Sequence, residues 1–140
     1  MRLWHKDLLD ILPDQILVQL WKDCCEIAKR VAIRGSPKDW CVNRVINYPM
    51  QEFWAYSRLV CNELGERRIP FNYRDFGKWQ GGFKEATDEL DEHDIFSNWH
   101  NRRYLWQCYS ELEEMLDCGL IREADWPPIA DRMADVMIFD

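Results

Sequence analysis

The stretch PDQILVQLWKDCCEIAKRVAIR, residues 13–34, decides the fold. Leu17, Leu20, Trp21, Cys24, Ile27, Ala28 and Val31 recur at steps of three and four, the spacing that puts side chains on one face of an α-helix. Pro13 suits a first helical turn and Gly35 the position just past a helix end, so the boundaries agree with the period. Gln15, Gln19, Lys22, Glu26 and Lys29 form a polar stripe, and Asp23 stands on its flank. Periodicity alone reads Lys22 and Asp23 as the wet edge of a surface helix.

The same period recurs twice more. One helix is expected from about Pro49 to Arg67, with Phe53, Trp54, Val60, Cys61 and Leu64 inward. Another is expected from Asn101 to Cys118 through Tyr104, Leu105, Cys108, Leu112, Met115 and Leu116, closed by Gly119. Between them RIPFNYRDFGKWQGGF, residues 68–83, mixes Pro70 and three glycines with aromatics and reads as an ordered loop. KEATDELDEHD, residues 84–94, is a charge run expected to be solvated, and Pro127–Pro128 precede room for one short helix. The prediction is a mainly α, single compact domain over residues 1–140, built on about three long helices and monomeric.

At 140 residues with eight Trp and 47% hydrophobic residues, the chain can bury a sizeable core. No run has the length of a membrane span, and Lys6, Asp7 and Asp10 interrupt the place where a signal peptide needs an apolar core. A soluble, cytoplasmic protein without membrane contact is expected. The six cysteines contain no C-x-x-C and read as small core residues in a reducing compartment. His5, His93 and His100 lie in three separate regions, and no phosphate-binding or nucleophile-elbow motif is present, so no metal and no cofactor is expected.

The net charge of −7 hides a division. Residues 1–84 hold 14 Lys/Arg against 10 Asp/Glu, whereas residues 85–140 hold 4 against 15. A basic working surface followed by an acidic half fits a nucleic-acid partner for the first part and a protein partner for the second, although the acidic total runs against the usual nucleic-acid binder.

Three pieces resemble one family. MRLWHKDLLDILPDQILVQLWKDCCEIA (1–28), VNRVINYPMQEFWAYSRLVCNELGERR (42–68) and SNWHNRRYLWQCYSELEEMLDCGLI (97–121) are similar, in order, to the pyrimidine-dimer DNA glycosylases of the endonuclease V type. The likeness is greatest to the phage and bacterial branch that opens with M-R-L-W-H; the last twenty residues match nothing in it.

The resemblance implies an endonuclease V-like helical fold and a DNA glycosylase with AP-lyase activity on double-stranded DNA with damaged bases. In that chemistry the chain's own α-amine attacks the sugar. An α-amine ordinarily titrates near about 7.7–8.0, so an appreciable fraction is a neutral nucleophile close to pH 7. Carried onto this sequence, the nucleophile falls on Met1 with Arg2 beside it, since the bulky Arg2 disfavours removal of Met1. The catalytic carboxylate falls on Asp23, and DNA contacts fall on Gln15 and Lys22. Arg2, Arg30 and Arg44 are further candidates for DNA contact from their charge.

The sequence departs from the family pattern at several of these places. Asp23 stands for a glutamate one methylene longer, Lys22 for an arginine, Glu26 for a DNA-binding arginine, Ile16 for a histidine, and Ser57 follows Tyr56 where the branch tends to have histidine. Three functional readings therefore stay open: an active glycosylase, a catalytically impaired homologue acting as a DNA-binding or protein-interaction module, and an acidic segment, Glu85–Asp94, that folds over the basic surface.

Overall fold

The computed structural model describes residues 1–33, 39–81 and 90–138. Among these it contains six α-helices and no strand: α1 (Asp14–Ile33), α2 (Trp40–Ile46), α3 (Met50–Glu66), α4 (Arg74–Gln80), α5 (Arg102–Asp117) and α6 (Pro127–Ile138). The fold is mainly α: to the three long helices and the one short terminal helix expected, the described residues add two short helices, α2 and α4. The expected spans coincide to within a residue or so with α1, α3 and α5.

The apolar face of α1 is buried at Leu17, Leu20, Trp21, Cys24, Ile27 and Ala28, and α2, α3 and α4 pack around it. The Pro13 carbonyl accepts from the backbone N–H groups of Ile16 and Leu17, both at 3.0 Å, which starts the helix one residue after the proline. At the end of α5, Gly119 adopts φ 78° and Leu120 N–H returns to the Met115 carbonyl at 2.8 Å. That is the six-to-one closure glycine permits because it lacks a Cβ.

The segment 68–83 was expected to be a loop, and this needs correction: Arg74–Gln80 is α4, two turns lying along α1. Its glycines concealed it. Phe76 is fully buried and stacks on Trp21 with ring centroids 5.6 Å apart, so burial of one aromatic outweighs the helix-weakening Gly77. The short α2 went unnoticed because two turns carry little periodicity. Asp39 caps it by accepting from Cys41 N–H at 2.8 Å.

The acidic run falls mostly outside the described residues. Its end, Glu92–Asp94, is an exposed 3₁₀ turn held to the N-terminal segment by Lys6, whose Nζ donates to the carbonyls of Glu92 (2.6 Å) and Ile95 (2.7 Å). The unmatched final segment forms α6, which buries Ile129 and Met133. Arg132 docks it in a two-pronged ion pair on Asp10, at 2.8 and 2.6 Å. No helix among the described residues is long and apolar enough to cross a membrane.

Candidate functional site

The first five residues precede any helix and run into the core. Leu3 is fully buried. Two phenols strap this segment down: Tyr56 on α3 donates to the Trp4 carbonyl at 2.5 Å, and Tyr104 on α5 donates to the Leu3 carbonyl at 2.7 Å. The Lys6 backbone N–H donates to His100 Nδ1 at 3.0 Å. Burial pushes the Tyr56 and Tyr104 phenols above their ordinary pKa, so both remain protonated donors.

This strap leaves the chain's α-amine near enough to Asp23, on α1, for its charge to act on that carboxyl. Burial pushes the Asp23 carboxyl above its ordinary value. Three groups work against that rise: the Gln19 amide, the positive α-amine and the Arg2 backbone N–H. Gln19 lies one turn earlier on α1 and donates to Asp23 Oδ1 at 3.0 Å. A half-buried carboxylate facing an amine can stabilise a cation formed between them and can pass a proton.

Cys41, at the start of α2, is also in reach of the α-amine's charge. Burial pushes its thiol up to about 12, so it stays protonated and is no competing nucleophile.

Arg2 turns outward from this centre into a cage. Its guanidinium lies 5.7 Å from the ring centroid of Trp4, 5.6 Å from that of Trp40 and 5.6 Å from that of Tyr104. It pairs with Glu111 and contacts Cys108 Sγ at 3.9 Å, both on α5. Burial acts to lower the Arg2 pKa, but Tyr104, Glu111 and Cys108 more than offset it, and the net shift is upward.

The proposed DNA contacts divide. Arg44 is at the same end of the molecule as Arg2, with its guanidinium 5.9 Å from the Trp99 ring and 6.0 Å from that of Tyr48. Arg30 lies on the Asp23 face of α1 two turns on, but it is held by Glu26 at 3.0 Å and approached by Asp39 at 4.0 Å. Gln15 sits two turns before Asp23, about 12 Å along the helix, and reaches the Leu120 carbonyl at 3.5 Å. Lys22 is turned about 100° away from Asp23 into a cleft of about 450 Å³ between α1 and α4, lined by Trp21, Phe71 and Trp79. Met1, Arg2 and Asp23 are thus brought together, whereas Lys22 and Gln15 are not.

Sequence reasoning missed Glu111, Tyr104, Cys108 and Trp40 as neighbours of Arg2. Only Gln19 carried a signal, its four-residue step to Asp23. His5 and His100, from separate regions of the sequence, meet with ring centroids 5.1 Å apart, whereas His93 lies in the exposed 3₁₀ turn. Burial lowers both His5 and His100, and His100 falls well below its ordinary value; its Nε2 is buried without a partner among the described residues.

A family model described as pyrimidine dimer DNA glycosylase matches residues 1–76, more than half of the chain. The chain belongs to that family. No curated protein and no solved structure matches it. The matched part contains Met1, Arg2 and Asp23, while the wall that α5 builds against Arg2 lies beyond it.

Proposed function

We propose that this family member is a DNA glycosylase with AP-lyase activity on damaged duplex DNA, with the α-amine of Met1 as nucleophile and Asp23 as its carboxylate partner. The supporting observation is that the amine's charge and the Arg2 backbone N–H both act on the Asp23 carboxyl. In this reading the nitrogen lone pair bonds to C1′ while the glycosidic bond breaks, and the base leaves with that electron pair and a proton. The C1′–O4′ bond then breaks as the nitrogen lone pair forms the C=N bond of a protonated imine, and O4′ takes up a proton as the sugar ring opens, with Asp23 passing that proton and stabilising the cation. Removal of a C2′ proton expels the 3′-phosphate by β-elimination, and water later hydrolyses the imine. The target nucleotide must first leave the stack, at a cost of roughly a few kcal/mol.

The test is borohydride trapping on duplex DNA carrying an abasic site or a pyrimidine dimer, with intact-mass measurement of the N-terminus. A covalent adduct that disappears when the α-amine is acetylated is the expected result. Absence of any adduct from protein with a free terminal amine overturns the proposal.

The Glu26–Arg30 pair favours a second reading, since it neutralises one of the cations offered for phosphate. A catalytically impaired DNA-binding homologue gives salt-dependent binding to the same duplex and no adduct.

A further inference from the structure

His5 and His100 take no part in the proposed chemistry, yet each meets the N-terminal segment through its Nδ1. Lys6 N–H donates to His100 Nδ1 at 3.0 Å, and Asp7 N–H donates to His5 Nδ1 at 3.1 Å. A neutral imidazole has one acceptor nitrogen and one N–H, so both rings are neutral with the proton on Nε2. A charged imidazole has two N–H groups and would set a donor against each backbone N–H.

The two rings differ in what could receive a proton. His5 has the Asp7 carboxylate 3.8 Å from its Nδ1, and the backbone of His100 and Asn101 favours its protonated form. His100 sits in a cage of rings: Tyr56 of α3 at 5.4 Å, Phe96 at 5.4 Å, Trp99 at 5.0 Å and Tyr104 of α5 at 5.1 Å between centroids. The groups whose charge acts on it, Lys6 and a protonated His5, both repel a proton on its ring. Tyr56, Tyr104 and Cys108 are kept protonated by burial and bring no charge. Glu52 accepts from Phe96 N–H at 2.8 Å, while Glu92 and Asp94 act on the Lys6 ammonium. Asp7, Arg102 of α5 and Asp135 of α6 line the open hollow of about 400 Å³ that both imidazoles border.

Burial keeps His100 well below its ordinary value of 6.5, so the seated ring stays neutral. Once the segment lifts away, the ring meets solvent and recovers that value. Between the two values the released state binds one proton more than the seated state, so each unit of acidification favours release about tenfold.

We propose that His100 is an acid-sensitive latch on the N-terminal segment. A solvent proton taken up at Nδ1 occupies the lone pair that now accepts from Lys6 N–H, which frees the segment at its inner end and lets Met1 leave Asp23. His100 is thus a positioning residue, acting through the segment it holds. The latch matters for catalysis only on the glycosylase reading above, but it operates without it.

The experiment follows amide hydrogen exchange in the full chain from about pH 8 to about pH 5, with Lys6 as reporter and the buried Leu112 of α5 as reference. Protection at Lys6 should fall about tenfold per pH unit below about 6.5, while Leu112 keeps its protection. His100→Asn, whose Oδ1 replaces Nδ1 as acceptor but takes up no proton, should abolish that fall. Nitrogen NMR of the imidazoles needs no variant: at neutral pH His100 should show a bare Nδ1 and a protonated Nε2. A proton on Nδ1 at neutral pH, Lys6 protection independent of pH, or a joint fall of Lys6 and Leu112 overturns the latch. So does a fall at Lys6 that His100→Asn reproduces.

The borohydride adduct should be lost in acid more steeply in the unaltered protein than in His100→Asn, since protonation of the α-amine itself is common to both. Equal acid limbs would mean that the latch does not seat the amine and would overturn the proposal. If Lys6 responds as expected and no adduct forms at any pH, the latch stands and the glycosylase reading falls.

Discussion

The Tyr104 phenol donates to the Leu3 carbonyl at 2.7 Å across 101 positions of sequence, so the second half of the chain fixes the position of the first residues. With Tyr56 on Trp4, it makes the terminal segment a tethered stretch of extended chain and not a loose end. Tyr104→Phe and Tyr56→Phe each leave a buried carbonyl without its donor, and each is expected to cost about 1–3 kcal/mol in thermal or denaturant unfolding. Both should also slow borohydride-trappable adduct formation under saturating DNA, because the amine is less well placed. Unchanged adduct rates in well-folded variants would mean the strap does not position the amine.

Asp23→Asn keeps the shape and the Gln19 contact but removes the charge. Adduct formation should fall by about a hundredfold or more while DNA affinity changes little. Asp23→Glu, which restores the length expected from the family, should stay within about tenfold of the unaltered rate. Single-turnover kinetics on abasic duplex measures both, and an Asn variant as fast as the original removes Asp23 from the mechanism.

Glu111→Gln should free the Arg2 guanidinium from its ion pair while leaving the aromatic cage in place. DNA affinity is then expected to rise at low salt, and the slope of log affinity against log salt to steepen by about one. A salt titration reads this directly. An unaltered slope would show that Arg2 does not reach a phosphate.

Acid should loosen α6. The hydrogen bonds from Arg132 hold the Asp10 carboxyl below its ordinary value of 3.8, so the folded chain binds this proton less readily than the unfolded chain. Its stabilisation is complete above the unfolded value and is lost as pH falls through the lower folded one. The pair is partly exposed, and screening limits it to about 1 kcal/mol. Asp10→Asn should lose that amount at neutral pH and show a smaller further loss in acid, as followed by unfolding at several pH values. Asp23 acts with the opposite sign: its raised pKa means the folded state gains stability as it takes up that proton.

The long helices were legible in the sequence because a buried face on sixteen to twenty residues repeats often enough to be read. On α1 the expected inward residues are buried apart from the half-buried Val31, and Pro13 marked the start. Periodicity failed for α2, which is two turns long, and for α4, where Gly77 and Gly81 resemble turn chemistry although Phe76 anchors a helix. Spacing also made Asp23 look like any surface acid, and only the family resemblance gave it an expected role. The Arg2–Glu111 and His5–His100 contacts could not be read at all, since pairings across about a hundred positions leave no local pattern. Lys22 and Asp23 part for a simpler reason: neighbours in sequence on a helix point their side chains in different directions.

The threaded amino end also dictates how the protein can be handled. Any residues added ahead of Met1 would block the terminal nitrogen and would have to be accommodated where the segment dives beneath two tyrosines. On the proposed mechanism an affinity handle therefore belongs at the opposite end, or must be cleaved to leave Met1 bare, and a preparation that ignores this is expected to form no adduct.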